Sequence, residues 1–111
     1  MIVTTTENVA GREVERALGQ VFGLIVRSRG LAGNITAAFR SLGGGEIHEY
    51  TSMLEDSRRQ ALDRMIENAT AMGATAVVMM RFDSSELGQN MAEVVAYGTA
   101  VVLKETAPTP P

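Results

Sequence analysis

Residues 46–80 of the chain read EIHEYTSMLEDSRRQALDRMIENATAMGATAVVMM. From Glu46 to Met72 apolar side chains recur every three or four residues, which predicts one long amphipathic helix of about 40 Å. Gly73-Ala74 ends this helix, and the apolar run from Thr75 to Phe82 is typical of a buried strand. A long helix that leads through a glycine into a strand indicates an α+β fold.

The residues before the long helix predict two strands and a shorter helix. Ile2–Thr6 is β-branched throughout, and a turn over residues 8–11 leads to a second strand from about Arg12 to Val26. The apolar alternation of this second strand is imperfect, so we expect a bulge or a late start. Leu31–Leu42 has helical spacing and stops at the glycine triplet of residues 43–45.

The residues after the long helix predict a hairpin. A polar loop, Asp83–Asn90, separates the third strand from a last strand over about Ala92–Lys104. The expected order is β-β-α-α-β-β, with an antiparallel sheet of about four strands packed against the long helix. Residues 106–111 contain three prolines and predict a disordered tail, which leaves one domain over residues 1–105.

The third strand is apolar on both of its faces. Strict alternation places Ala76, Val78, Met80 and Phe82 on one face and Val77 with Met79 on the other. One face can rest on the long helix, but the other also needs cover. In a chain of 111 residues we expect that cover to come from another subunit.

Composition excludes several classes of protein. The chain has no cysteine, which rules out disulfides, thiolate metal sites and iron–sulfur clusters. A formal net charge of -3 argues against a nucleic-acid or anionic-membrane partner, because both need a basic patch. Residues 1–6 lack the features of a signal peptide, and no apolar run approaches the roughly 20 residues of a membrane span. We therefore expect a cytoplasmic protein.

Several segments resemble the YbjQ family of small bacterial proteins, which is sometimes labelled a heavy-metal-binding domain. The segments that carry the resemblance, which spans roughly residues 4–105, are Gly44-Gly45-Glu46, Arg58–Ile66, Met72–Val78, Arg81-Phe82-Asp83 and Ala96–Val102. The resemblance implies an α+β subunit that assembles into a homo-pentameric ring, or into a decamer of two rings, and it implies no settled activity. Leu24 departs from the family pattern, which tends to place an acidic residue there.

A metal site is hard to build from one copy of the chain. Soft heavy metals select thiolates, and zinc, copper and nickel usually bind several imidazoles, whereas this chain has no cysteine and one histidine. The best local cluster is Glu46, His48 and Glu49 at the start of the long helix. Several subunits would have to share such a site. Six of the seven methionines are interpreted as packing residues: Met53, Met65, Met72, Met79, Met80 and Met91.

Four residues are candidates for binding a small ligand or anion: Gly44, Gly45, Tyr50 and Arg81. Free N–H groups at a helix start attract anions, although Glu46 puts a negative charge there and a simple helix-to-helix turn is the alternative. Arg81 is predicted on the face of Val77 and Met79. Because an unpaired buried charge is costly, we expect a carboxylate partner, such as Glu93 across the hairpin or a carboxylate of a neighbouring subunit.

Two hypotheses about function follow from these patterns. The first is a non-enzymatic, homo-oligomeric scaffold or binding module that holds an unidentified small ligand and no cofactor. The second is a weak divalent-metal-binding protein that uses carboxylates, and His48, at subunit interfaces. No complete catalytic constellation is present in the sequence, so an enzyme is not expected.

Overall fold

The computed structural model describes residues 1–28, 48–88 and 91–105, and the side chains of residues 48–50 lie outside the described part. The described residues form four strands and one helix: β1 (Ile2–Val3), β2 (Val14–Ser28), α1 (His48–Ala71), β3 (Ala76–Glu86) and β4 (Met91–Leu103). The α+β class and the four strands agree with the sequence prediction. The shorter helix predicted over Leu31–Leu42 and the tail predicted from residue 106 lie outside the described residues. The assignment of residues 1–105 to one domain stays a prediction.

The sheet is mixed, and the prediction that it is antiparallel is wrong for one strand pair. Its strand order is β1-β3-β4-β2. β4 is antiparallel to both of its neighbours, whereas β1 runs parallel to β3, with Ile2 opposite Ala76. The turn near residues 8–11 does not join neighbouring strands, because residues 4–13 carry the chain from one edge of the sheet to the other. The sequence does not distinguish this crossing segment from a hairpin, because both consist of a β-branched segment followed by a turn.

β2 begins at Val14 and is irregular along its first residues. Its pairing with β4 shifts between Val14 and Arg16 and again between Ala17 and Gly19. Gly19 has a φ angle of +112°, a backbone conformation that residues other than glycine rarely adopt. The late start and the bulge expected from the sequence are both confirmed.

β3 contains a bulge at Met79, which has a φ angle of +55°. Val78 pairs with Thr99 and Arg81 pairs with Tyr97, so two residues of β3 lie opposite the single residue Gly98. The extra residue shifts the alternation of the strand. Strict alternation placed Val77 and Arg81 on the same face, whereas Val77 lies in the core under α1 and Arg81 lies on the opposite face of the sheet. Nothing in the sequence marks the bulge that separates them.

The main core lies between α1 and the sheet. Its buried residues are Val21, Ile25, Ala61, Met65, Ala69, Val77, Met80, Val94, Ala96 and Ala100. The helix comes close to β2 at Gly23, where a Cβ atom would overlap the backbone nitrogen of Met65 and the carbonyl oxygen of Ala61. The absence of a side chain at Gly23 thus lets the helix lie directly on the strand, so this glycine serves packing.

The other face of the sheet carries a smaller cluster, which consists of Ala76, Val78, Val101 and Leu103. Val9 packs on this cluster as residues 4–13 cross the sheet. Two contacts hold the end of the crossing segment: the side chain of Arg12 donates to the carbonyl oxygen of Lys104 at 2.9 Å, and the amide of Lys104 donates to the carbonyl oxygen of Glu13 at 2.8 Å. We call this sheet surface, opposite α1, the open face.

Candidate functional site

Arg81 is the one predicted site residue whose side chain the structure describes. Gly44, Gly45 and Glu46 lie outside the described residues, as do the side chains of His48, Glu49 and Tyr50. The candidate metal cluster and most of the candidate anion site therefore stay predictions.

Arg81 holds backbone carbonyl groups and is not paired with Glu93 as predicted. Its Nη1 atom donates to the carbonyl oxygens of Thr5 and Met80, both at 2.8 Å. Glu93 lies further along the hairpin, opposite Ser85. The bulge turns Arg81 to the open face, where the side chain is exposed and fastens the N-terminal segment to β3. The proposed role of Arg81 in anion binding is untested.

The open face carries exposed apolar side chains next to the cluster under Val9. Phe22, Leu24 and Val26 alternate with the core residues of β2 and are 53%, 37% and 50% exposed. On β4, Tyr97 lies opposite Phe22 and Val95 lies opposite Leu24. We call these five residues the apolar patch. Adjacent exposed apolar side chains of this kind mark interaction surfaces more often than isolated ones do.

Two side chains of α1 cover the outer edge of β2. Arg64 donates through Nη1 to the carbonyl oxygen of Leu24 at 2.7 Å, and Asn68 donates through Nδ2 to the carbonyl oxygen of Phe22 at 2.8 Å. An unpaired strand edge invites another strand to join the sheet. Because these two carbonyl groups already have donors, the edge at residues 22–24 is poorly suited to pairing with a second chain. A partner of the apolar patch would have to approach its face.

A second feature lies on the opposite side of the sheet, between α1 and β3. The guanidinium of Arg58 lies over the ring of Phe82, with its Cζ atom 5.4 Å from the ring centre. These two residues line a shallow cavity of about 280 Å³ with Glu55, Arg59 and Leu62. We call it the arginine groove. Sequence reasoning missed it. The consecutive arginines are visible in the sequence, but they do not show that Phe82 lies beside them.

The described residues do not fit a heavy-metal site. The chain has no cysteine, and the described side chains contain no group of three or more histidine or acidic residues that could hold a metal ion. The interpretation of the methionines as packing residues is confirmed for Met65 and Met80, which are buried. It is wrong for Met72, Met79 and Met91, which are 39%, 44% and 46% exposed.

Among the described residues, no helical segment combines the length and the apolar character needed to cross a membrane. α1 instead has one buried line, which includes Ala61, Met65 and Ala69, and exposed polar residues elsewhere. This pattern is that of a helix packed on a sheet.

The sequence matches one family model over residues 1–104, and that model is described as "Putative heavy-metal-binding". Curated relatives cover nearly the whole chain. A UPF0145 protein of Bradyrhizobium sp. is 65% identical over 94% of each chain. Another, from Sulfurisphaera tokodaii, is 56% identical over 96% of this chain and 93% of its own. The names of these relatives state no activity.

A solved structure has a similar fold. It is that of a protein of unknown function from Pediococcus pentosaceus, assigned to the DUF74 family. The TM-score is 0.65, and the match covers 94% of this chain and 98% of the other at 13% sequence identity. At that identity the likeness concerns the fold alone.

Proposed function

The chain belongs to the YbjQ family, and from this we propose that it is a non-enzymatic, self-associating scaffold or binding module of the cytoplasm. Its assembly is a homo-pentameric ring, or a decamer of two such rings. The observation that carries the proposal is the apolar patch on the open face of the sheet.

The apolar patch supports self-association because its side chains are costly to leave in water. Burying apolar surface yields about 25 cal/mol per Å², and aromatic residues such as Phe22 and Tyr97 are enriched at protein interfaces. The fold also supplies polar groups beside the patch, including Arg81 opposite Tyr97. An apolar centre with polar groups around it is the usual arrangement of a specific protein interface.

The same structure argues for contact through the face of the sheet and against contact through its edge. Arg64 and Asn68 occupy the carbonyl groups of Leu24 and Phe22, which a second strand would need. Face-on contact leaves these bonds intact and buries the side chains of Phe22, Leu24 and Val26. A ring of five copies further requires the patch to contact a different surface of the next copy, with a rotation that closes the ring.

Multi-angle light scattering and native mass spectrometry test the assembly directly. We expect masses at five or ten times the 11.9 kDa of one chain at micromolar concentration. A monomer under these conditions contradicts the proposal. Native mass spectrometry also reports any small molecule that stays bound.

A weak divalent-metal site is the second candidate function, and the family description favours it. Because the described side chains contain no metal-binding group, the donors would be carboxylates and His48 from several subunits, with Glu46 and Glu49 the candidates. Calorimetric titration with zinc, nickel and copper tests this, with His48→Ala and Glu46→Ala as variants. Binding that is absent, or unchanged in both variants, removes the metal proposal and leaves the assembly proposal standing.

A further inference from the structure

We propose that the arginine groove is a binding site for a small aromatic carboxylate. It lies on the helix side of the molecule, away from the apolar patch, and neither the family description nor the names of the relatives assigns a role to it. Its lining combines two guanidinium groups, one carboxylate and an apolar floor.

Arg58 is held in place without being neutralised. A guanidinium over an aromatic ring is attracted by the negative face of that ring, and this attraction does not use up its N–H donors. No carboxylate among the described side chains pairs with Arg58, and the described ion pairs use Arg27 and Lys104 instead. Phe82 therefore fixes a cation whose donors can still bind an anion.

Arg59 adds a second cation to the same groove. The sequence spacing allows an ion pair with Glu55 one turn earlier, but within the described residues Arg59 has no such partner. Two guanidinium groups and one carboxylate give the groove a formal charge of +1, in a chain whose net charge is -3. A single carboxylate on the ligand would balance that charge, whereas a dianion would leave an excess next to Glu55.

The apolar floor of the groove and its volume indicate the character and the size of the rest of the ligand. Leu62 and Phe82 are half-buried, so each still offers apolar surface to a ligand. A cavity of about 280 Å³ is slightly smaller than most ligand pockets, which span about 300–1,000 Å³, so it suits a small ligand. A benzoate-sized molecule can lay its ring against Leu62 and Phe82 and direct its carboxylate to Arg58 and Arg59. Bidentate arginine–carboxylate bonding provides the directional part of recognition.

Ligand-observed saturation-transfer NMR on the full chain, with benzoate as the probe, tests the proposal. For so small a ligand we expect a dissociation constant on the order of 1 mM. Arg58→Met and Arg59→Met should each weaken benzoate binding about tenfold, because each removes a charge-assisted hydrogen bond. Arg16→Met is the matched control. It removes the same charge from an exposed position on β2, outside the groove, and should leave the affinity within about twofold.

Two further probes separate the parts of the ligand. Benzyl alcohol has the ring without the charge, and phenyl phosphate has the ring with a larger charge; both should bind more weakly than benzoate. Phe82→Leu should weaken benzoate binding while it preserves an apolar floor. Circular dichroism melting of each variant reports whether it is folded, and light scattering of the same samples reports assembly separately.

The proposal is overturned if the native chain gives no benzoate signal at about ten times the expected dissociation constant. It is also overturned if Arg16→Met weakens binding as much as Arg58→Met, since that would indicate general charge attraction. Equal or tighter binding of benzyl alcohol or phenyl phosphate contradicts the assignment to a carboxylate. Should Arg58→Met fail to fold, Arg59→Met and Phe82→Leu decide the outcome.

Discussion

Gly23 on β2 lies directly against Met65 on α1, with no room between the two backbones for even one carbon atom. This contact fixes the height of the helix above the sheet. It also places Arg64 and Asn68 where they reach the outer carbonyl groups of β2. The position of the helix and the cover of the sheet edge thus depend on the same glycine.

The first prediction concerns this contact. Gly23→Ala should destabilise the chain by about 2–4 kcal/mol, because the added carbon meets backbone atoms that cannot rotate away. Urea unfolding measures the change. Gly11→Ala is the control, since its Cβ atom would meet no atom within 4 Å and only the φ angle of +76° opposes it. That variant should lose about 1–2 kcal/mol. Equal losses in the two variants would show that close packing is not the cause at Gly23.

The second prediction concerns the bulge at Met79. A φ angle of +55° is costly for a side chain and worse for a β-branched one. Met79→Val should therefore destabilise the chain by about 1–2 kcal/mol, whereas Met79→Gly should be close to neutral. Thermal melting of the three proteins ranks them. If Val is tolerated as well as Gly, the bulge is not held in this conformation.

The third prediction concerns the apolar patch. Phe22→Ser should shift the assembly towards smaller species, because it removes an exposed ring that is 53% accessible in the single chain. The expected loss is on the order of 2 kcal/mol per contact, enough to raise the dissociation constant at least tenfold. Sedimentation velocity across a concentration series measures the shift. Met72→Ser, which changes an exposed residue at the end of α1, should leave assembly unchanged. An intact oligomer in Phe22→Ser would place the interface elsewhere.

The fourth prediction concerns Arg81. Arg81→Met removes the bonds to the carbonyl oxygens of Thr5 and Met80, so the N-terminal segment should loosen from β3. In that segment, the carbonyl oxygen of Thr6 accepts from the amide of Met79, and the carbonyl oxygen of Thr4 accepts from the amide of Met80. The hydrogen exchange of these two amides should become roughly 10- to 100-fold faster, since a bond to a charged donor contributes about 1.5–3 kcal/mol and each 1.4 kcal/mol is a factor of ten. Exchange should be unchanged along α1, and a uniform acceleration would indicate global unfolding instead.

Much of the fold follows from local pattern. The helical spacing of Ala61, Met65 and Ala69 predicts the buried line of α1, and the apolar runs of β3 and β4 predict the hairpin. The bulge at Met79 could not be predicted, because methionine at a positive φ angle is unusual and no glycine or asparagine marks the site. The parallel pairing of Ile2 with Ala76 was also hidden, since two residues carry too little pattern to identify a partner strand.

The candidate sites were harder to predict because they depend on contacts between elements. Glu93 was the wrong partner for Arg81, since one extra residue in β3 places the side chain of Arg81 on the other face of the sheet. The arginine groove needs Phe82 beside α1, a placement that sequence spacing alone does not give. The expectation that another subunit covers the second face of β3 was wrong, because Ala76 and Val78 are buried there beneath Val9 of the same chain. The exposed apolar side chains of this face lie on β2, at Phe22, Leu24 and Val26.

The strand order has a consequence for the order of events during synthesis. β4 is the last strand to be made, yet it forms the hydrogen-bonded centre of the sheet between β2 and β3. Synthesis proceeds at about 5–20 residues per second, so several seconds pass between the synthesis of β2 and that of its neighbour β4. α1 can form by local contacts in that interval, but the sheet cannot. The chain should acquire its tertiary structure in one late step, when Leu103 emerges, and a ribosome stalled before β4 should carry a helix without a sheet.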